Sequence, residues 1–554
     1  MVDLYESRRE QMYPKLTPSQ IERLRTHGKV IPLRAGEVII EPGQRYGGML
    51  VVLSGSIEIV RPGISSEEPI TVHTAGSFAG EMSSLRGAGG HVRARVRESG
   101  EAIEIDNESV RRVVQTDAEL SELLMRAFIL RRMRLIASQQ GDVVLIGSSH
   151  SANTLRLRQF LGRNGFPYVS VDVEHDSAVA DLLERFHVQL EDIPVVICHG
   201  QRVLKNPSNL LVAECLGMNP QFDEARVRDL IIIGAGPAGL ASAVYAASEG
   251  LDVLVLETTA PGGQAGSSSK IENYLGFPTG ISGQALAGRA LVQAQKFGAD
   301  VAVAGSAVKL RCDRRPYEVE LSDGHVAHGR SIIIASGAEY RPLALENLAQ
   351  YMGVGVYYAA TYLEAQLCKD EEVIVVGGGN SAGQAAVFLA NGCRHVHLLV
   401  RSAGLKETMS RYLIRRIEES PGITLRPWTE ITELAGAERL QNVTWLTAKG
   451  AEPGTSKREI AHVFLMTGAE PNTRWLDGCV ALDDRGFVKT GPGLKPEDLE
   501  GKQWPLARRP HLLETNLPGI FAVGDVRSGS IKRVAAAVGE GSSCVALIHS
   551  VLAE

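Results

Sequence analysis

Residues 229–257 read DLIIIGAGPAGLASAVYAASEGLDVLVLE: an apolar strand, a glycine-rich turn, an alanine-rich helix and a second apolar strand that ends in Glu257. Gly234 allows a tight turn, Gly236 lets the backbone approach a pyrophosphate, and Gly239 lets the helix pack closely on the strand. The helix start offers free N–H groups to an anion, and an acid 21 residues after Gly236 is placed to bind ribose hydroxyls. Because all these parts are in register, the stretch predicts a dinucleotide site rather than a turn that merely tolerates glycine.

A second stretch of the same design lies at residues 371–401, EEVIVVGGGNSAGQAAVFLANGCRHVHLLVR. It carries Gly377-x-Gly379-x-x-Ala382 between two apolar strands, but its second strand ends in Arg401 instead of an acid. A carboxylate there would repel the extra phosphate of NADP whereas a guanidinium would pair with it, so the stretch favours NADPH over NADH. The alternative is that Arg401 is only a solvated strand end. Two such fingerprints predict two nucleotide sites.

The C-terminal stretch 519–552, GIFAVGDVRSGSIKRVAAAVGEGSSCVALIHSVL, supplies a further part of a flavin site. An apolar strand ends in Gly524-Asp525, and a helix begins near Lys532-Arg533. An acid at that strand end can meet the ribityl hydroxyls of a flavin. The N–H groups at the helix start can meet the electron-rich edge of the isoalloxazine ring.

Length and composition indicate a multidomain globular protein. With ~150 residues per domain as a loose prior, the 554 residues form about three or four units. The chain is 44% hydrophobic and 22% charged with a net charge of −6, so neither nucleic acid nor a membrane is expected as partner. No long apolar run and no apolar segment after a basic start is present, which predicts a cytoplasmic protein. The seven cysteines contain no Cys-x-x-Cys pair, which argues against a zinc ribbon, a local dithiol and a secreted disulfide framework, and no metal site is predicted.

Several motifs make residues 226–554 resemble the low-molecular-weight thioredoxin reductase family of FAD- and NADPH-dependent enzymes. The motifs, in the family's order and spacing, are GAGPAG (234–239), GGQ (262–264), IENYLGFP (271–278), ASG (335–337), GGGNSAG (377–383), TGAEPNT (467–473) and AVGD (522–525). The resemblance implies that FAD is held by Gly234, Gly236, Pro237, Ala238, Gly239, Glu257, Gly262, Gly263, Gln264, Asn273, Val308, Ala335, Gly337, Gly524, Asp525, Lys532, Arg533 and Val534. It implies that NADPH is held by Gly377, Gly379, Asn380, Ser381, Ala382, Arg401 and Lys406, although the family's HRRxxxR reads VRSAGLK here and lacks one arginine. A homodimer is expected from the resemblance alone.

The redox cysteines of that family are replaced in this chain. In the family, the sequence CATC precedes the second fingerprint and its dithiol carries electrons from flavin to a protein disulfide, whereas residues 359–362 here read AATY. Neither Ala359 nor Tyr362 can form the thiolate that disulfide exchange requires. Tyr362 is interpreted either as a ring that stacks near the flavin and gates access, or as an aromatic that fills vacated space. Cys368 is close in sequence but has no partner there, so we interpret it as an inert buried thiol rather than a redox group.

Residues 12–110 read as short strands separated by glycine and proline turns, which predicts a small β-roll or barrel. The apolar runs are broken at Pro42-Gly43 and Ser54-Gly55. Residues 117–138 are helical by their apolar period, with Asp117 as a possible cap. A resemblance to the cyclic-nucleotide-binding fold over residues 12–138 is carried by RAGEVIIEPGQ (34–44), VVLSGSIEIV (51–60) and FAGEMSSL (78–85).

The phosphate cassette of that fold is incomplete in this sequence. Gly80 and Glu81 match the cassette, in which the acid binds a ribose hydroxyl. The arginine that neutralises the cyclic phosphate is expected about ten residues on. His91 stands there, with Arg93 and Arg95 shortly after. Because a buried phosphate without a bidentate arginine loses its main charge-assisted bond, a degenerate sensory or dimerisation domain is favoured over one that binds a cyclic nucleotide.

Residues 142–186 read as a strand (142–148), a helix (152–165), a strand (168–173) and a second helix (177–186), which predicts a βαβ unit followed by further strands. Residues 142–217 resemble a thioredoxin- or glutaredoxin-like domain. The resemblance is carried by LRLRQFLGRNGFPYVSVDV (155–173) and DIPVVI (192–197), with Pro194 at the family's cis-proline position. The redox cysteines should follow the first strand, but residues 147–154 read GSSHSANT. We therefore expect a docking or scaffold role for this domain, and we interpret His150 as a surface loop residue.

We predict a multidomain α/β and α+β chain with an N-terminal β-roll and helix, a thioredoxin-like α/β domain, and two Rossmann-like domains for FAD and NADPH. The predicted boundaries are 1–139 (cyclic-nucleotide-binding-like), 140–222 (thioredoxin-like), 226–343 and 473–554 (two parts of the FAD domain) and 344–472 (NADPH domain). The predicted function is an NADPH-oxidising flavin reductase without a dithiol relay, with a redox protein of the ferredoxin or flavodoxin kind, or a small molecule such as a quinone or oxygen, as acceptor. The alternatives are thioredoxin-disulfide reduction through a non-standard cysteine, and a non-enzymatic redox or nucleotide sensor.

Overall fold

The computed structural model describes most of the chain. The described residues are 9–41, 48–62, 67–80, 92–137, 143–148, 151–173, 192–198, 202–268, 270–358, 360, 362–437, 439–450, 453–476, 478–500 and 504–554. Within them, an antiparallel sheet comes first, a small mixed sheet follows, and two mainly parallel nucleotide-type sheets make up the remainder together with a ribbon and a three-stranded sheet.

The first sheet is an antiparallel β-roll covered by helices. Its elements are α1 (Arg9–Met12), α2 (Pro18–Arg25), β1 (Lys29–Leu33), β2 (Val38–Ile40), β3 (Gly48–Pro62), β4 (Glu67–Thr74), β5 (Phe78–Ala79), β6 (Arg93–Asp106), α3 (Asn107–Thr116) and α4 (Ala118–Ala137). The strands pair in the order β1-β6-β3-β4, with β2 on β6 and β5 on β3. One core of the roll is formed by the apolar sides of β3 and β6 together with α3 and α4, which cover it from one end.

Two details of the sequence prediction for this sheet have definite outcomes. Asp117 caps α4 as predicted, since its carboxylate accepts a hydrogen bond from the Leu120 N–H at 3.0 Å. The break predicted at Ser54-Gly55 is wrong: β3 continues through it, and Gly55 at φ +76° accompanies register shifts against β6. A glycine inside a strand can mark a bulge as well as a turn. The Pro42-Gly43 pair lies outside the described residues.

A small mixed sheet follows, and we call residues 143–217 the middle module. Its elements are β7 (Val143–Gly147), α5 (Ala152–Arg163), β8 (Val169–Asp172), β9 (Val195–Cys198), β10 (Arg202–Lys205) and α6 (Asn209–Cys215). The strand order is β10-β9-β7-β8, in which β7 and β8 are parallel and joined by α5, as the βαβ prediction required. The Ile193–Pro194 peptide bond is cis. The helix predicted over residues 177–186 and His150 lie outside the described residues.

The first nucleotide sheet has seven strands. Its elements up to the first exit of the chain are β11 (Val227–Ile233), α7 (Pro237–Ser248), β12 (Val253–Glu257), α8 (Gly263–Gly266), α9 (Gly283–Lys296), β13 (Asp300–Val303), β14 (Ala307–Arg311), β15 (Tyr317–Leu321) and β16 (Val326–Ile334). The order is β13-β12-β11-β16-β15-β14, with β11 fully buried in its last residues between parallel neighbours. Strands buried on both faces read as continuous apolar runs, which explains LIII at residues 230–233.

The chain then builds the second nucleotide sheet. The elements of this part of the chain are β17 (Ala338–Tyr340), β18 (Val356–Tyr357), α10 (Tyr362–Leu367), β19 (Glu372–Val376), α11 (Asn380–Leu389), β20 (His395–Leu399), α12 (Arg411–Glu418), β21 (Ile423–Arg426), β22 (Thr429–Ala435), β23 (Asn442–Thr447), β24 (Gly454–Arg458), β25 (His462–Leu465) and β26 (Ala469–Pro471), of which β22, β23 and β24 form the separate three-stranded sheet. The parallel order β18-β25-β19-β20-β21 places the second fingerprint at the carboxyl end of β19. The antiparallel ribbon of β17 and β26 carries the chain out to this sheet and back.

The last segment returns to the first nucleotide sheet. There β27 (Ile520–Ala522) pairs in parallel with β16, and α13 (Val534–Leu552) packs against α7, where the Ser242 hydroxyl donates to the Gly541 carbonyl at 3.1 Å. By length and composition α13 could span a membrane, and among the described residues it is the one helix that meets that test. Its buried face, which includes Cys544 and Ile548, belongs to the core of this sheet. A disulfide joins Cys312 to Cys479 across 167 residues.

Candidate functional site

The turn after β11 contains the close contacts for which glycine was predicted. Gly234 has φ +104°, and a Cβ atom there would lie 2.4 Å from the carbonyl oxygen of Ala335. A Cβ on Gly239 would lie 1.9 Å from the carbonyl oxygen of Gly234. Both distances are far below van der Waals contact, so the turn packs on the end of β16 through Gly234, and α7 approaches the turn after β11 through Gly239.

A second glycine turn faces the start of α7. Gly236 is the N-cap of α7 and Pro237 occupies its first turn, so no side chain covers the free N–H groups of the helix. Gly262 (φ +106°) and Gly263 (φ +53°) precede α8, and a Cβ on Gly236 would lie 3.9 Å from the Cα of Gly263. Two glycine turns, which carry no side chains, therefore border a helix N-terminus. A pyrophosphate can approach the free N–H groups of the helix closely at such a place.

The carboxylate of Glu257 ends β12 beside this turn, where an acid was predicted to bind ribose. It accepts hydrogen bonds from the N–H groups of Ala235 at 2.8 Å, Thr259 at 3.0 Å and Ala260 at 3.3 Å. These bonds fix its orientation. Because a carboxylate offers about four lone-pair sites, it retains acceptor capacity for a ribose hydroxyl.

The strand end before α13 carries the other predicted carboxylate. Gly524 has φ +74°, and a Cβ there would lie 3.0 Å from the Cβ of Ala238, so this turn packs directly on the start of α7. Burial raises the pKa of the half-buried Asp525 above its usual value, and the nearby Lys532 ammonium opposes this shift. Within the described residues the Asp525 carboxylate has no hydrogen-bond partner. A ligand hydroxyl would satisfy it, so the residue fits the ribityl chain of a flavin.

The start of α13 presents a cationic edge. The Lys532 ammonium donates to the Asp525 carbonyl and, at 2.9 Å, to the Ser530 hydroxyl, and it lies 4.4 Å from the centre of the Phe487 ring. Burial lowers the pKa of Lys532. Arg533 is the N-cap of α13 with an exposed side chain, and Val534 begins the helix, so the free N–H groups of α13 directly follow Lys532 in the chain.

The remaining residues predicted for FAD divide into two groups. Ala335 is buried beside β11, Gly337 has φ +67°, and the Gln264 amide donates to the Ala338 carbonyl, so these three lie around the fingerprint turn. Asn273 is exposed on the segment after α8. Val308 is 48% exposed on β14, the edge strand of the sheet, three places from β11. The structure does not bring Val308 next to the fingerprint.

The second fingerprint has the same construction as the first. Gly377 has φ +139°, and a Cβ there would lie 2.2 Å from the Met466 carbonyl oxygen. Gly379 is the N-cap of α11 and carries no side chain over the helix start. The Asn380 side chain accepts a hydrogen bond from the Ser410 N–H at 2.8 Å, which ties the fingerprint to the loop before α12. Ser381 is exposed at the helix start, and Ala382 is fully buried beneath it.

The two cations predicted for the NADP phosphate lie on the loop after β20. Arg401 and Lys406 are both exposed, and neither forms an ion pair with another described residue. Just after Lys406, the Thr408 hydroxyl donates to the Gly378 carbonyl at 2.7 Å, which ties this loop to the second fingerprint. Two unpaired cations beside a second fingerprint fit a phosphorylated ribose.

The middle module contacts the regions of both nucleotide sheets through α5; we call the region of the first sheet the FAD half and that of the second sheet the NADPH half. On the FAD side, the Arg163 guanidinium donates to the Gly263 carbonyl at 2.8 Å, and the Asn164 amide donates to the Thr259 carbonyl at 3.0 Å. Burial lowers the pKa of Arg163. On the NADPH side, the Gln159 amide donates to the carboxylate of Glu364 at 2.7 Å.

An apolar contact accompanies these hydrogen bonds. Leu155 is 2% exposed, and it packs in the hydrophobic cluster of the second nucleotide sheet together with Tyr357 and Ala360. A Cβ on Gly353 would lie 3.6 Å from the Cα of Ala152, so the start of α5 also touches this region. The helix therefore packs in one cluster with Ala360, which belongs to the stretch in which the family's redox cysteines were expected. Ala359 and the side chain of Tyr362 lie outside the described residues.

The sequence interpretation missed two contacts between cysteines. Cys368 was taken to have no partner, but its sulfur lies 3.5 Å from the sulfur of Cys393. The disulfide between Cys312 and Cys479 was also missed. Both pairs are separated by many residues, and no local motif such as Cys-x-x-Cys signals either of them.

The first sheet places two of the candidate phosphate-binding arginines in ion pairs. Arg93 pairs with Glu41 at 2.9 Å, and Arg95 pairs with Glu58 of β3 at 2.6 Å. The hydrogen bonds that both guanidinium groups donate to these carboxylates raise the pKa of Arg93 and Arg95. A phosphate would have to replace these partners. Glu81 and His91 lie outside the described residues.

Comparisons with known proteins agree with this geometry. The profile of the family described as pyridine nucleotide-disulphide oxidoreductase matches residues 228–541, and that of the cyclic nucleotide-binding domain matches residues 30–117. Thioredoxin reductases from Mycolicibacterium smegmatis and Bacillus subtilis are 33% and 30% identical over 326 and 322 residues, which is 58% of this chain and 96% and 93% of theirs. The crystal structure of Lactococcus lactis thioredoxin reductase has 26% identity and a TM-score of 0.51, over 59% of this chain and 99% of that one.

Two glycine fingerprints on two parallel sheets, with an acid at one and cations at the other, define an NAD(P)H-dependent flavin oxidoreductase. The chain belongs to the pyridine nucleotide-disulphide oxidoreductase family, has a thioredoxin-reductase-like fold in that region, and carries an N-terminal cyclic nucleotide-binding domain. FAD and NADPH are the cofactors of the thioredoxin-reductase-like members of this family. The glycine cradle fits FAD, as does the Asp525 carboxylate, which has no hydrogen-bond partner among the described residues; the loop with Arg401 fits NADPH.

Proposed function

We propose that this chain is an NADPH-oxidising flavin reductase that passes electrons to a redox protein or a small acceptor without a dithiol relay. The observation that carries the proposal is the combination of two well-formed nucleotide sites with Ala359 and Tyr362 at the positions where the family has its redox cysteines. Disulfide exchange requires a thiolate, and neither residue can supply one.

The proposed roles follow from the contacts around the first fingerprint. Gly236 and Gly263 leave room for the pyrophosphate, and Glu257 orients the ribose through its remaining acceptor sites. Asp525 accepts hydrogen bonds from the ribityl hydroxyls, and the N-terminus of α13 with Lys532 stabilises negative charge on the flavin edge. When bound, FAD accepts a hydride from NADPH and releases electrons to the acceptor.

The middle module supports the absence of a relay. Its helix α5 covers the stretch around Ala360 through Leu155, and the module carries GSSHSANT where a thioredoxin-like domain would carry cysteines. We therefore propose that the module is a scaffold that holds the two nucleotide halves together, and that the acceptor approaches by another face. The acceptor we favour is a ferredoxin- or flavodoxin-like protein, with a quinone or oxygen as the small-molecule counterpart.

The rival proposal is thioredoxin-disulfide reduction through Cys368, which the similarity to thioredoxin reductases favours. Cys368 is poorly placed for this role, because it lies before β19 whereas the nucleotide fingerprint lies after that strand, at the other end of it. The variant Cys368→Ser separates the two: unchanged disulfide reduction excludes the cysteine, and its loss supports the rival.

Three further properties belong to the same proposal. We expect a cytoplasmic homodimer, and we expect little or no binding of a cyclic nucleotide because Arg93 and Arg95 already have carboxylate partners. Calorimetric titration with cyclic AMP and cyclic GMP tests the last point. A dissociation constant in the micromolar range or below would show a functional ligand site in the first domain.

The decisive experiment is an anaerobic titration of the flavin-loaded protein with NADPH, with NADH in parallel, followed by flavin absorbance. Bleaching by NADPH establishes the reductase, after which ferredoxin, flavodoxin, quinone and thioredoxin can be compared as acceptors. If FAD is bound and neither nucleotide reduces it, the proposal fails, and a sensor whose flavin or nucleotide state changes a partner interaction takes its place.

A further inference from the structure

Cys368 and Cys393 form a close pair of thiols on the second nucleotide sheet. Their sulfur atoms are 3.5 Å apart, at van der Waals contact and within the reach of an S–H···S hydrogen bond. A disulfide bond is about 2.05 Å long, so the sulfurs need to approach by about 1.5 Å to bond. Both residues lie outside helices and strands, Cys368 just after α10 and Cys393 just before β20, where side-chain rotation can supply that movement.

The two thiols differ in exposure and in acidity. Cys368 is fully buried, and its one S–H can donate either to the Glu364 carbonyl at 3.2 Å or to the Cys393 sulfur. The hydrogen bond with Cys393, together with burial, raises the pKa of Cys368. Cys393 is half-buried, and the same hydrogen bond lowers its pKa although burial and the carboxylates of Glu371 and Asp370 oppose this. Cys393 is thus the thiol that solvent reaches and that ionises first.

The pair lies away from the nucleotide site. Cys368 and Cys393 precede the parallel strands β19 and β20, whereas the fingerprint and Arg401 follow them. A five-residue strand spans about 16 Å, so the thiols and the fingerprint occupy opposite edges of the sheet. Electrons from a nucleotide at the carboxyl edge do not reach the pair directly, and its chemistry is therefore separate from hydride transfer.

We propose that Cys368 and Cys393 are a redox-active dithiol that exchanges with low-molecular-weight disulfides of the glutathione class. The Cys393 thiolate attacks one sulfur of the disulfide RSSR, which forms a mixed disulfide and releases RS⁻. The Cys368 sulfur then attacks that of Cys393, which forms the Cys368–Cys393 bond and releases the second RS⁻. The two thiol protons leave with the two RS⁻ groups as RSH, so two electrons pass from the protein to RSSR.

The exchange has a structural consequence. The new bond joins the end of α10 to the start of β20, and α10 carries Glu364, which accepts the hydrogen bond from Gln159 of the middle module. Oxidation therefore adds a covalent restraint to α10, the helix that the middle module contacts. The proposal does not depend on the proposed function, because it concerns residues outside both nucleotide sites and is tested without turnover.

The first test uses the full chain with its flavin, incubated without oxygen in mixtures of oxidised and reduced glutathione. The reaction is stopped with acid, free thiols are alkylated in denaturant, and peptides are examined by mass spectrometry. We expect a peptide pair joined through Cys368 and Cys393 with the loss of two hydrogens, while Cys198 and Cys544 remain alkylated. Complete alkylation of Cys368 at every glutathione ratio would overturn the proposal.

Variants separate the two steps of the exchange. Cys368→Ala should accumulate a stable glutathione adduct on Cys393, whereas Cys393→Ala should leave Cys368 reduced and free of glutathione. Cys215→Ala, which changes a half-buried cysteine of the middle module, is the matched control and should behave as the wild type. If Cys393 of the wild-type chain keeps its glutathione adduct without resolution by Cys368, the dithiol assignment is wrong, and this result needs no variant to fold.

Discussion

Leu155 is a buried apolar residue of the middle module that packs in the cluster of the second nucleotide sheet, and Leu155→Ala tests whether that contact holds the two together. The side chain is 2% exposed and shares a cluster with Tyr357 and Ala360. Truncation of a buried leucine costs about 2–5 kcal/mol, depending on how far the site collapses. Since each 1.4 kcal/mol is a factor of ten, local opening of this contact should become at least roughly 30-fold more frequent.

Hydrogen exchange of the full chain, followed by mass spectrometry of peptides, measures this opening. Leu155→Ala should speed exchange in α5 and also in residues 355–368, which belong to the other side of the contact. Leu211→Ala is the control, because Leu211 lies in the same module but is 45% exposed, so its truncation should change neither region. Faster exchange in α5 with no change in residues 355–368 would refute the view that Leu155 joins the two halves.

Three further predictions concern the nucleotide sites and the first domain. Gly239→Ala should abolish retention of FAD, read from the flavin-to-protein absorbance ratio, because its Cβ would lie 1.9 Å from a carbonyl oxygen, whereas Gly288→Ala meets no atom within 4 Å and should retain the flavin. Arg401→Ala should raise the KM for NADPH about 10- to 100-fold, the loss expected for one charge-assisted hydrogen bond, and leave the KM for NADH nearly unchanged; equal effects on both would show a solvated strand end. Burial, aided by Arg131, lowers the pKa of His73 from 6.5 to about 3, so its contribution to stability is complete above pH 6.5 and is lost as the pH falls from 6.5 towards 3. Urea unfolding, followed by hydrogen exchange in the first domain, measures the free energy of unfolding at pH 7 and pH 5. Below pH 6.5 the wild type should lose about 1.4 kcal/mol of this free energy per pH unit more than His73→Gln does.

The sequence predicts the nucleotide sheets well because their determinants are local. The turn at Gly234 needs a positive φ and close backbone contacts, which glycine alone satisfies, and the helix start at Gly236 follows from the same few residues. The same reasoning holds for Gly377. The break predicted at Gly55 fails for the converse reason: a glycine allows a turn or a bulge, and the pairing of β3 with β6 decides between them.

Contacts between distant segments are not encoded in any short pattern. Nothing near Cys368 indicates Cys393, because their approach depends on how the loops before β19 and β20 meet at one edge of the sheet. The placement of α5 is similar: its apolar period predicts a helix, but Leu155 could equally face the core of its own module. Only the packed structure shows that it faces the second nucleotide sheet instead.

The bond between Cys312 and Cys479 has a topological consequence. It closes a ring of chain that contains every strand from β15 to β26, and therefore the whole second nucleotide sheet. A single backbone scission anywhere inside this ring would leave the two fragments covalently connected. A nicked chain would migrate as one species in a denaturing gel until a reducing agent released its two pieces, so the second nucleotide sheet remains tethered at both ends even when its own backbone is interrupted.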